Sequence, residues 1–78
     1  MMKAIYELWD DDTGNLLDAY DTEQAALKEV RSTIQIDGRD AVATWTLLRD
    51  DTKSPAKTVV ATGAELAAYA TDMQPRAV

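Results

Sequence analysis

Residues 3–9 (KAIYELW) and the shorter run 16–20 (LLDAY) are rich in β-branched and aromatic side chains and are separated by the polar stretch WDDDTGN (9–15). Strand, turn, strand is the simplest expectation, a β-hairpin. The period then changes. In DTEQAALKEVRSTIQIDG (21–38), Ala26, Leu27, Val30 and Ile34 recur at helical spacing, while Glu23, Lys28, Glu29, Arg31 and Gln35 take the opposite face. Asp21 or Thr22 is placed to cap this helix, with Gln24 in capping-box position after Asp21, and Gly38 is placed to end it.

The same succession returns. VATWTLLR (42–49) predicts a third strand, DDTKSPAK (50–57) a loop, and TVVAT (58–62) a fourth strand. Thr62 with Glu65 forms a second capping-box pattern, opening a helix through Ala64, Leu66, Ala67, Ala70 and Met73, and Pro75 ends it. YELWDDDT (6–13) and WTLLRDDT (45–52) align at an offset of 39, and Thr22 and Thr62 at 40. The expected architecture is therefore α+β, a ββαββα pseudo-repeat over residues 1–73, with 74–78 as a flexible C-terminal tail. Strand 3 must run parallel to strand 2 after the first helix returns, and a crossover leaves room for one strand between them. Placing strand 4 there gives a four-stranded antiparallel sheet in order 1-2-4-3, with both helices on one face.

Hairpin register decides which side chains meet. A four-residue loop, Asp11 to Gly14, puts Leu8 opposite Leu17, Tyr6 opposite Ala19 and Trp9 opposite Leu16, whereas a three-residue loop puts Leu8 opposite Asp18. Apolar cross-strand pairs favour the four-residue loop. In that register Ala4, Tyr6, Leu8, Leu17 and Ala19 face the helices and, by the repeat, so do Ala43, Trp45, Leu47, Val59 and Ala61. Leu27, Val30, Ile34, Leu66, Ala70 and Met73 complete the expected core. The other sheet face then carries Ile5, Trp9, Leu16, Tyr20, Leu48 and Val60 among Lys3, Glu7, Asp18, Thr44, Thr46 and Thr58. A solvated sheet face is mostly polar, so six large apolar side chains predict a protein interface, most simply with a second copy.

Composition narrows the chemistry. The chain has 78 residues, no cysteine and no histidine, so thiolate metal sites, disulfides and the commonest general base are all missing. With 14 acidic and 8 scattered basic residues the net charge is −6, which counts against nucleic acid and anionic membranes. No apolar run reaches the ~20 residues of a membrane span, and a cytoplasmic location is the expectation.

Asp12-Thr13-Gly14 matches the aspartic-protease triplet, but such enzymes need two loops whose carboxylates share a proton, and the second repeat reads Asp51-Thr52-Lys53. Counted as an EF-hand from Asp10, the loop puts glycine at the wrong position, and no helix precedes it. A turn accounts for every letter: Asp and Thr bond their own backbone, and Gly14 takes the left-handed position that closes the loop. No catalytic, cofactor or metal residues are assigned, and the expectation is a non-enzymatic interaction or homodimerisation module. Small-molecule or nucleic-acid binding on the same aromatic face is the alternative.

The opening YELWDDDTGNLLDAYDTEQAALKEV resembles a pattern of short bacterial proteins to which no activity is attached: YELWD, TGN, two apolar residues, then Thr-Glu and Ala-Leu opening a helix. The resemblance covers about residues 5–30 and returns weakly at TGAELAAYA (62–70). It implies a bacterial source and the same fold, and it transfers no functional residues.

Overall fold

Strands β1 (Ala4–Asp10) and β2 (Asn15–Tyr20) form the first hairpin, followed by helix α1 (Glu23–Asp37) and a short 3-10 helix (Arg39–Val42). Strands β3 (Trp45–Asp51) and β4 (Thr58–Thr62) then lead into helix α2 (Gly63–Asp72). The computed structural model describes residues 4–51 and 57–72. The expected Met73 contact and the tail at 74–78 lie outside them.

The architecture is α+β: four antiparallel strands with two helices packed on one face. The strand order is β2-β1-β3-β4 rather than 1-2-4-3. The place between β2 and β3 is real, but β1 occupies it. The two longest strands, seven residues each, are central, where apolar residues on both faces are sheltered, and the shorter β2 and β4 form the edges. The order is symmetric about the β1–β3 pair, as two copies of a ββα unit require.

Thr22 is the N-cap of α1, its hydroxyl oxygen accepting the Ala25 N–H at 3.1 Å. Gly38 ends the helix at φ 87°, its N–H donating to the Ile34 carbonyl at 2.8 Å. Residues 42–44, expected at the start of a strand, belong instead to the 3-10 helix and the turn after it. Val42 is thereby dropped into the core, while Ala43 is exposed. At Gly63 the chain passes from β4 into α2 with φ 52°, and an added Cβ would lie 2.9 Å from the Ala43 carbonyl oxygen. Only glycine fits that approach.

The core consists of Leu8 and Leu47 from the central strands, Ala61 from β4, Val42, and Ala26, Leu27, Val30, Leu66, Ala67 and Ala70 from the helices. Arg31 ties α1 to α2 through the Ala70 carbonyl at 2.9 Å, and the Tyr69 hydroxyl donates to Glu23.

Both edge strands carry a bulge at the corresponding place. Opposite the step from Leu8 to Trp9, β2 holds an extra residue, Leu17; opposite the step from Leu47 to Leu48, β4 holds an extra residue, Val60. The four-residue loop and the Trp9–Leu16 pair are as expected, but beyond the bulge Leu8 faces Asp18 and Tyr6 faces Tyr20. Strict alternation thus ends inside each edge strand. Ala19 and Val59, expected in the core, are exposed, and Leu17 is only partly covered.

Candidate functional site

Leu8 and Leu47 point into the core, so the alternation of β1 and β3 sends Ile5, Glu7 and Trp9, and Thr46, Leu48 and Asp50, to the helix-free face. Leu16 joins them opposite Trp9, and Val59 opposite Leu48. Four of the six expected interface residues, Ile5, Trp9, Leu16 and Leu48, therefore share this face. Tyr20 and Val60 do not. The bulges turn both toward the helices, where they pack partly buried against the core. Val59, 57% exposed, takes the place on β4 that was expected for Val60. No period-two count along β4 reveals this exchange, because the shift arises from one unpaired residue.

Among the described residues no helix covers this face. The Cα extents are 37 × 35 × 17 Å, and the shortest has room for one sheet and one layer of helices. Its polar centre is a three-residue contact. Trp9 Nε1 donates to Glu7 Oε1 at 3.0 Å, Lys57 Nζ donates to the same oxygen at 2.9 Å, and the ammonium stands 5.7 Å from the Trp9 ring centroid. The hydrogen bonds from Lys57 and then Trp9 hold the Glu7 carboxyl below the usual carboxylate range, and Glu7 in turn raises Lys57. Glu7 sits on β1 two residues from Trp9, so the strand itself supplies the spacing. The sequence places both residues on one face, but the part of Lys57, fifty positions away, has no sequence signal.

The acidic turn has a different employment. Gly14 is left-handed at φ 71°, and its N–H donates to the Asp10 carbonyl at 2.7 Å, closing the loop. Asp10 Oδ1 accepts the Asp12 N–H at 3.0 Å and the Thr44 hydroxyl at 2.9 Å. Asp11 accepts the hydroxyl of Thr46, which is nearly buried, and its N–H donates to the Thr44 carbonyl at 2.7 Å. Asp10 and Asp11 thus dock the hairpin tip onto the start of β3. Among the described residues no three carboxylates converge as metal ligands, and no helix is long and apolar enough to cross a membrane.

Comparison with protein-family models, with curated proteins and with solved structures returns no match.

Proposed function

We propose that the protein is a small non-enzymatic interaction module that self-associates through the helix-free sheet face. The observation that carries this reading is the set of apolar side chains spread over all four strands, Leu16 and Val59 exposed and Trp9, Ile5 and Leu48 half-buried, on the face that no helix of the described residues covers. Full burial of an exposed side chain of this size gains at most roughly 1.5–3 kcal/mol, and the half-buried Ile5, Trp9 and Leu48 gain less than Leu16 and Val59. The edges are poor alternatives, because a bulge interrupts the free backbone of each. A second copy suits the face for two reasons. The sheet has its own approximate two-fold symmetry, and Glu7 is already neutralised by Lys57, so stacking like on like brings few unpaired charges together.

Area sets the strength. Strands of seven, six, seven and five residues, about 3.4 Å per residue and about 4.8 Å apart, give a flat footprint of about 400 Å². That is below the ~800 Å² per partner of standard stable complexes, so the association is reversible and responds to dilution. Asp50 on the same face and the net charge of −6 disfavour a phosphate backbone.

Sedimentation equilibrium across a wide dilution series tests the reading. A monomer–dimer equilibrium is expected, displaced toward monomer by Val59→Glu and Leu16→Glu and unchanged by Ile36→Glu, whose side chain is 80% exposed on α1. A wild-type chain that stays monomeric at the highest soluble concentration overturns it.

A further inference from the structure

The bulge in β2 builds a second feature, on the opposite side of the sheet from the proposed dimer face. By inserting Leu17 it turns Asp18 and Tyr20 to the α1 side of the sheet, where they line one recess with Glu29. The result is a recess of roughly 180 Å³ lined by Leu8, Leu17, Asp18, Tyr20, Glu29 and Trp45. Its composition is lopsided. Two aromatic rings and two leucines supply apolar wall, and among the described residues the only charges that line it are two carboxylates. Among the described residues neither carboxylate has an ion-pair partner. Asp18 accepts the adjacent Ala19 N–H at 2.8 Å, and Glu29 accepts the Thr33 hydroxyl at 3.4 Å.

We propose that this recess is a binding site for a small organic cation, a primary or quaternary ammonium, with its charge between Asp18 and Glu29 and its carbon against Leu17, Tyr20 and Trp45. The chemistry excludes the neighbouring ligand classes. Anions are repelled by both carboxylates and by the net charge of −6. A calcium or magnesium ion needs about six oxygen donors and gains nothing from aromatic walls. An alkylammonium matches both halves, because carboxylates and aromatic faces stabilise its charge while its carbon covers the apolar wall. The Tyr20 hydroxyl responds to the same field: burial raises its pKa to about 12, with Glu29 and Asp18 both contributing.

The test uses the full chain and tetramethylammonium chloride, with sodium chloride at matched ionic strength and tert-butanol as the neutral isostere. Amide and indole N–H resonances report the site. Saturable shifts are expected at Asp18, Tyr20, Glu29 and the Trp45 indole, with the Trp9 indole unmoved. Combined Asp18→Asn and Glu29→Gln changes, both at exposed positions, weaken binding by about tenfold or more, while an otherwise unchanged spectrum certifies the fold. Responses that fail to saturate, that tert-butanol or sodium chloride reproduces, or that survive the double substitution overturn the proposal. The dimer reading stands or falls separately, at Val59 and Leu16 on the other side of the sheet.

Discussion

Leu8 and Leu47 face each other across the central β1–β3 pair, both fully buried, and 39 positions separate them. That separation equals the offset at which the two halves of the sequence align, so this pair sits on the approximate two-fold axis of the molecule. Each leucine is the other's counterpart as well as its neighbour.

Leu8→Ala and Leu47→Ala should therefore cost similar amounts, about 2–5 kcal/mol each, as for other buried leucines. Because the side chains are neighbours, the double substitution should depart from the sum by about 0.5 kcal/mol or more. Urea denaturation of the three variants measures both quantities. Strongly unequal single costs would contradict the symmetry.

The three aspartates of the turn should behave differently from one another. Asp11→Ala leaves the nearly buried Thr46 hydroxyl without its acceptor and should destabilise by about 1–3 kcal/mol. Asp12→Ala removes an exposed side chain and should stay within about 0.5 kcal/mol of wild type. Equal melting temperatures for the two variants would show that the Asp11 contact contributes nothing.

Gly14 and Gly63 are both left-handed, so alanine at either should cost about 1–2 kcal/mol in backbone strain. At Gly14 nothing stands within 4 Å of the added carbon, whereas at Gly63 the Ala43 carbonyl oxygen is 2.9 Å away. Gly63→Ala should be the more damaging change by thermal melting, and the reverse order would mean that the β4–α2 junction yields easily.

Acid should weaken the contact on the helix-free face. The folded pKa of Glu7 lies below its ordinary value of 4.5, so its contribution is fully present above 4.5 and is lost as pH falls through the lower folded value. Wild type should exceed Glu7→Gln in stability at neutral pH, and the gap should close in acid. A gap that persists below that window would assign the effect to packing.

Alkali should act on the tyrosines. Tyr69 is raised to about 12, chiefly by its hydrogen bond to Glu23, and Tyr20 to about 12, chiefly by burial. Folded pKa values above the ordinary 10.0 mean stability that is intact below pH 10 and lost as pH rises toward 12. Tyr69→Phe should soften this alkaline loss and cost about 0.5–1.5 kcal/mol at neutral pH. Ultraviolet absorbance titration should show Tyr69 ionising earlier in Glu23→Gln, and an unmoved titration would refute the bond.

Much of this was legible in the chain, and what was not has two causes. The turn, the α1 cap at Thr22 and the stop at Gly38 are local devices, written in adjacent residues. Strand order is not local. The crossover demands a strand between β2 and β3, and periodicity is indifferent to whether β1 or β4 fills it. Length was the available signal, since the longer strands belong at the centre. The bulges were hidden for a different reason. Pairing Leu8 with Leu17 is attractive on its own, but inserting Leu17 keeps the Trp9–Leu16 pair and also brings Tyr20 against the core, a gain made by α1 and invisible to a hairpin considered alone.

Between β2 and α1 lie Asp21 and Thr22, but between β4 and α2 there is no residue at all: Thr62 closes the strand and Gly63 opens the helix. The second half of the molecule consequently has the shape of a bent arm. Val59 is at its outer arm, exposed on the sheet, and Leu66 at its inner arm, in the core. Val59 and Leu66 are joined by strand and helix alone, whereas two residues separate β2, with Leu16, from α1. Two halves that share a plan thus differ at the joint between sheet and helix, and α2 is the helix that continues its strand directly.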